Sequence, residues 1–200
     1  NGYSVGLGGK GANQAVAVAK AGARSILIGA VGAEGAVARD ALVGYGVDVS
    51  RVTFSKTPTG HAIINVDPQA ENAIVIYAGA NLSITGACVA QAVADATGVD
   101  SLLLQNETSA QVEAARIAAG KGMRVVYSAA PFDIDAVRAI LPFVSMLAMN
   151  EGEAAALIAE LGTLPQIDMV VTKGSKGAEW ISAGLEPLFV PSFPVKPVDT

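Results

Sequence analysis

Short apolar runs alternate with segments of helical spacing along most of this chain, and that alternation restricts its fold more than any other feature. ANQAVAVAKAG (12–22) has helical spacing and stops at a glycine, SILIGAV (25–31) follows as an apolar strand, and EGAVARDALVGYG (34–46) is helical again. Further along come a helix over 84–97, a strand SLLLQ (101–105), a helix over 109–121 and a strand MRVVYS (123–128). A helix over 133–141, a strand SMLAM (145–149), a helix over 150–161 and a strand IDMVVT (167–172) complete the series. Apolar strands separated by amphipathic helices predict an α/β fold, a doubly wound, mainly parallel sheet flanked by helices.

Two segments break the rhythm. GHAIINV (60–66) and NAIVIYA (72–78) are joined only by DPQAE, too short for a helical crossover, so they are expected to pair as an antiparallel hairpin. A hairpin of this kind, covering 60–78, is a candidate lid. AEWIS (178–182) and LFVPS (188–192) are expected to form a second hairpin at the far edge. With no repeat or low-complexity tract, residues 1–200 are read as a single domain.

Composition narrows the functional classes. Hydrophobic residues make up 52% of the chain and charged residues 16%, yet no apolar run reaches the roughly 18 residues of a membrane span. The net charge of -5 without a basic cluster argues against a nucleic-acid partner, whose phosphates demand concentrated Lys and Arg. The single cysteine, Cys88, has no internal disulfide partner and is read as a small buried hydrophobe within ACVAQAV. The chain opens on no signal peptide, which makes the cytoplasm the expected location.

The stretch GLGGKGAN (6–13) admits three readings. As a dinucleotide fingerprint it needs a preceding strand and a later acid; Glu34 almost qualifies, but NGYSV is a poor strand. As a phosphate-binding P-loop it fails because Gly11 stands where Ser or Thr should bind magnesium. There remains a glycine turn opening a helix, with Lys10, Asn13 and Gln14 near its start; it is either plain punctuation or a site for an oxygen-rich ligand. Asn13 carries the donor and acceptor that vicinal hydroxyls require.

Two later loops have equally double readings. Asn150 and Glu153, at i and i+3 after a strand, fit a helix cap as well as a ligand site. Thr172, Lys173, Gly174, Ser175, Lys176 and Gly177 form either a glycine-rich hairpin turn or a cradle of N–H groups and hydroxyls for phosphate oxygens. His61 and Trp180 are read as packing residues of their hairpins.

Taken together, GGKGANQAVA, TGHAII, ENAIVIYAGAN, LLLQNE, NEGE, VTKGSKGA and the final VDT resemble the ribokinase branch of the PfkB-type carbohydrate kinases, in that family's order and over almost the whole chain. The resemblance implies a ribokinase-like fold with a small β-hairpin lid and an ATP-dependent sugar kinase, with ribose the implied substrate. Gly8, Gly9, Lys10, Asn13 and Glu107 match sugar-binding positions; Glu107 could otherwise be a solvated acid opening a helix. Asn150, Thr172, Gly174, Ser175 and Gly177 match the ATP site, Glu153 the residue that organises Mg2+ through water, and Asp199 a ligand of a monovalent cation, K+. The implied assembly is a homodimer through the lid.

The departures from the family pattern are equally specific. The pattern begins with an Asn-x-Asp element ahead of residue 1 and ends on a catalytic-base aspartate after Thr200, so these 200 residues alone are expected to transfer no phosphate. Ser128-Ala129-Ala130-Pro131 replaces the common Asn-Pro-Ala-Pro, GAEGA (32–36) shortens an acidic-glycine loop, and Lys173 replaces an apolar or small residue. Another sugar or nucleoside kinase of the family, or a non-catalytic sugar- or nucleotide-binding module, are the alternative readings.

Overall fold

The structure is a computed structural model and describes residues 4–66 and 72–194. The chain divides into two compact units, residues 1–94 with 107–110, and residues 95–106 with 111–200.

In the first unit α1 (Lys10–Lys20), β1 (Ile26–Val31), α2 (Ala36–Gly44) and β2 (Asp48–Phe54) follow one another. β1 and β2 pair in parallel, α2 supplying the crossover that parallel strands require. Ala15 on α1 is buried with Leu42, Val47, Val49 and Val52, and Ala12, Val16 and Ala19 pack against them at helical spacing. β2 has no clear signature in the sequence, and the register shows why. Ile26 faces Asp48 and Ile28 faces Arg51, so β2 carries one extra residue between these pairs. That bulge puts Val49 and Val52, three positions apart, both into the core, which erases the period of two by which a strand is recognised.

β3 (His61–Val66) and β4 (Asn72–Tyr77) form the expected antiparallel hairpin, with His61 opposite Tyr77. Their rings stack across the strands at 5.3 Å, so His61 does pack within the hairpin. α3 (Gly86–Ala92) is shorter than the periodicity predicts. The reading of Cys88 as buried is corrected: it is exposed. α3 turns Gly86 and Val89 inward, which leaves Cys88 on the outer side, where the Thr85 hydroxyl donates to its Sγ at 3.2 Å. That hydrogen bond lowers the thiol pKa.

The second unit is built on one six-stranded sheet in the order β10-β9-β8-β7-β6-β5. β5 (Ser101–Gln105), β6 (Arg124–Ser128), β7 (Met146–Asn150) and β8 (Asp168–Thr172) run parallel, joined by α4 (Gln111–Gly120), α5 (Ile134–Ile140) and α6 (Glu151–Leu161). After β8 only residues 173–176 intervene before β9 (Gly177–Ile181), too few for a crossover, so β9 pairs antiparallel with β8. β10 (Leu188–Pro191) closes the edge as the second expected hairpin. Trp180 lies in it, opposite Leu188, and is 43% exposed.

The interior of this sheet is filled by Val125, Tyr127, Val137, Ile140, Leu147, Leu157 and Met169, all fully buried. One polar atom among them is unsatisfied: the Tyr127 hydroxyl is buried and has no hydrogen-bond partner. Burial, and then the charge of Asp133, push its pKa up to about 12. The Ala130–Pro131 peptide bond just beyond β6 is cis.

Leu147→Ala removes a side chain from the centre of the sheet and should destabilise the fold by about 2–5 kcal/mol, read from the urea unfolding midpoint. Tyr127→Phe breaks no hydrogen bond and should change stability at neutral pH by under about 1 kcal/mol. Its effect should show in alkali. The folded-state pKa of Tyr127 lies above its ordinary value of 10.0, so the unfolded chain loses this proton first and stability falls as pH rises from there to about 12. In urea titrations across that window, the decline should be shallower for Tyr127→Phe than for the native protein.

Candidate functional site

The first group of site residues is built where the chain enters α1. Among the described residues, 4–9 form no strand, so the strand that a dinucleotide fingerprint needs directly before its glycines is not seen there. Gly9 is the residue before the helix and has φ +98, a left-handed conformation that glycine adopts without strain. Its carbonyl accepts the first helical bond, from Asn13 N–H at 3.0 Å. This sharp entry makes Lys10 the first helical residue and puts Asn13, three positions on and exposed, on the same face.

Glu107 belongs to the same unit, although it lies 97 positions from Lys10, and the Lys10 ammonium donates to Glu107 Oε1 at 2.7 Å. Both side chains are partly exposed, 42% for Lys10 and 26% for Glu107, so their remaining donors and acceptors can be reached by a ligand. Glu107 is held in place from behind. Ser109 donates its N–H to the Asn81 carbonyl at 3.2 Å and its hydroxyl to the Ile84 carbonyl at 2.6 Å. Glu107 does not itself open a helix, since α4 begins only at Gln111, and its carboxylate is paired with Lys10. Nothing in the linear sequence pairs Lys10 with Glu107 or reveals the Ser109 anchor.

The Glu34 carboxylate is engaged locally, accepting the Thr59 N–H at 2.5 Å. That bond, the largest influence on it, holds its pKa below the usual carboxylate value.

The second group lies in the other unit, at the carboxyl ends of β7 and β8, where open α/β sheets bind ligands. Asn150 ends β7 and is the register partner of Thr172, which ends β8, so the two loops leave the sheet side by side. Asn150 and Glu153 form a complete capping box. Glu153 N–H donates to Asn150 Oδ1 and Asn150 N–H to Glu153 Oε2, each at 2.9 Å. Thr172 Oγ1 donates to the Met149 carbonyl at 3.4 Å, tying the second loop to the first.

Gly174, Ser175 and Lys176 make a single 3-10 turn, begun by Gly174 at φ +57 and closed by Gly177 at φ +126. Gly177 cannot be replaced: a Cβ there would run into the Val190 carbonyl and the Pro191 backbone. The turn is braced from β8 to β9 by Lys173 N–H donating to the Gly177 carbonyl at 2.8 Å. Lys173 Nζ lies 2.7 Å from Glu179 Oε2, and this bond raises the Lys173 pKa. Its charge is matched within the hairpin by Glu179. Asp199 lies outside the described residues. Among the described residues no group of three or more His, Cys, Asp or Glu side chains could hold a metal ion, and no helix is long and apolar enough to cross a membrane.

Known proteins are similar to this chain in sequence and fold. The family model of the pfkB family carbohydrate kinases matches residues 1–200. The ribokinase of Haemophilus influenzae is 38% identical over 160 residues, 78% of this chain and 52% of its own length. The ribokinase of Bacillus subtilis is 32% identical over 96% of this chain and 68% of its own length. Among solved structures, Arabidopsis thaliana ribokinase complexed with ribose and ATP superposes with a TM-score of 0.78 at 26% identity, covering 96% of this chain and 68% of that one. The chain therefore belongs to the pfkB family of carbohydrate kinases, in its ribokinase branch. It spans about half to two thirds of the length of these curated relatives.

The cap on α6 gives a direct check on the second group. Asn150→Ala removes the acceptor of the box and should cost about 0.5–2 kcal/mol in urea unfolding, whereas Asn150→Asp keeps the acceptor and should stay near the native value.

Proposed function

We propose that this protein is an ATP-dependent sugar kinase of the cytoplasm that phosphorylates ribose at its primary hydroxyl. The observation that carries the proposal is the 2.7 Å contact between Lys10 and Glu107, which joins two residues that the family resemblance matches to sugar-binding positions. A polyol needs such a mixed set: the carboxylate accepts from sugar hydroxyls, the ammonium donates to sugar oxygens, and Asn13 does both. The backbone of Gly8 and Gly9 can approach a ligand closely, because neither glycine has a neighbouring atom within 4 Å of the Cβ position.

For the nucleotide, Asn150 and the turn of Thr172, Gly174, Ser175 and Gly177 supply hydroxyls and N–H groups beside a helix N-terminus, the environment that favours phosphate. The capping box occupies Oε2 of Glu153, and the other carboxylate oxygen suits a Mg2+ ion that keeps most of its water. When bound, Mg2+ would offset the negative charge of the phosphates. Asp199 is assigned to K+ through the family pattern alone. The hairpin β3–β4 serves as a lid over the sugar, and its open edges offer pairing to a second copy in a homodimer.

Ribose binding by calorimetry tests the sugar half. Glu107→Gln, which loses charge-assisted hydrogen bonds to the sugar, should weaken affinity by about 1.5–3 kcal/mol. Unchanged affinity removes Glu107 from the site. In the complete protein, ADP release measured with ribose, deoxyribose, fructose and nucleosides should be greatest with ribose. Sugar binding with no ADP release for any of them would point instead to a binding module.

A further inference from the structure

Among the described residues the hairpin β3–β4 pairs with no other strand, and its described side chains, 61–65 and 73–77, are exposed. A two-stranded ribbon of this length has little stability of its own, so its geometry depends on how its ends are fixed. Those ends are held by hydrogen bonds at two adjacent residues, Pro58 and Thr59. Thr59, just before β3, donates its N–H to Glu34 Oε1 at 2.5 Å, and its Oγ1 accepts the Gly32 N–H at 2.9 Å. The neighbouring Pro58 carbonyl accepts the Ala80 N–H at 2.8 Å, which links the entrance of the hairpin to the turn that follows its exit.

The fit around these bonds leaves no room for adjustment. A Cβ on Gly32 would stand 2.6 Å from the Glu34 carboxylate and 2.8 Å from Thr59 N, and one on Gly35 would stand 2.5 Å from Thr59 Oγ1. A Cβ on Gly60 would stand 2.5 Å from the Ala78 carbonyl, and one on Gly79, whose φ is +51, would run into the Pro58 carbonyl. Glycine at these four positions lets three backbone segments close on Thr59. Glu34 supplies the charged partner, and the Thr59 N–H, which favours the ionised form, lowers its pKa further below the ordinary carboxylate value.

We propose that Glu34 and Thr59 form a latch that fixes the foot of the hairpin and so positions it over the bound sugar, making Glu34 a positioning residue for substrate binding. The second half of this statement rests on the reading of the hairpin as a sugar lid; the latch itself does not. Glu34 touches no substrate and acts through Thr59. Loss of the Glu34 acceptor leaves the Thr59 N–H unpaired and frees β3 to move relative to the 32–35 turn.

Hydrogen exchange of the native protein, Glu34→Ala, Glu34→Gln and Thr59→Val separates the two parts. In Glu34→Ala and Thr59→Val, amides of 61–66 and 72–77 should exchange about tenfold faster, with the strands β5–β8 unchanged. Glu34→Gln keeps an acceptor oxygen and should restore most of the protection. Ribose affinity should fall about fivefold to tenfold in Glu34→Ala and recover in Glu34→Gln. Unchanged hairpin exchange, or acceleration spread evenly over the protein, overturns the latch. Faster hairpin exchange with native ribose affinity overturns the positioning role. A native protein that binds no ribose refutes the sugar-kinase reading and with it the positioning role, while the exchange rates still decide the latch.

Discussion

Parallel strands must be joined by crossovers, and that requirement governs most of what this chain can present to a ligand. Each of β5, β6 and β7 is followed by a helix, so each delivers its next loop to the same end of the sheet. Asn150 and Thr172 become neighbours for this reason alone, being register partners at the last positions of β7 and β8. Where the connection shortens to 173–176 the pairing reverses, and the turn that results is tight enough to require Gly174 and Gly177.

In the second unit the residues matched to the nucleotide site also serve the architecture. The capping box of Asn150 and Glu153 satisfies the start of α6 and also fixes the two side chains that the proposed function assigns to phosphate and metal. The brace between Lys173 and Glu179 neutralises a cation that the family pattern lacks at that position. Both arrangements are held by hydrogen bonds within the protein, and groups so held cost less to order on binding.

The first unit works through glycine. Gly9 sets the entry to α1 and thereby the position of Lys10, while Gly32, Gly35, Gly60 and Gly79 let backbone segments meet around Thr59. A shortened acidic-glycine loop, GAEGA, thus retains one carboxylate, Glu34, and uses it to hold a neighbouring segment. Polar contacts of this kind are modest singly, and they matter here because the hairpin they secure has no core of its own.

Local pattern alone determined the alternation of helix and strand, both hairpins, the cap at Asn150 and the turn at Gly9, because each depends on residues a few positions apart. It missed β2, whose bulge destroys the alternation of its buried valines, and it placed Cys88 inside when α3 turns it outward. The family resemblance supplied Lys10 and Glu107 as site residues, but only the tertiary structure brought them to 2.7 Å across 97 positions. It alone also closed Glu34 on Thr59 and left the Tyr127 hydroxyl buried without a partner. Periodicity encodes which face of an element is apolar; which polar groups meet across the fold is settled by crossover length, register and close backbone approach, none of which a local window of sequence contains.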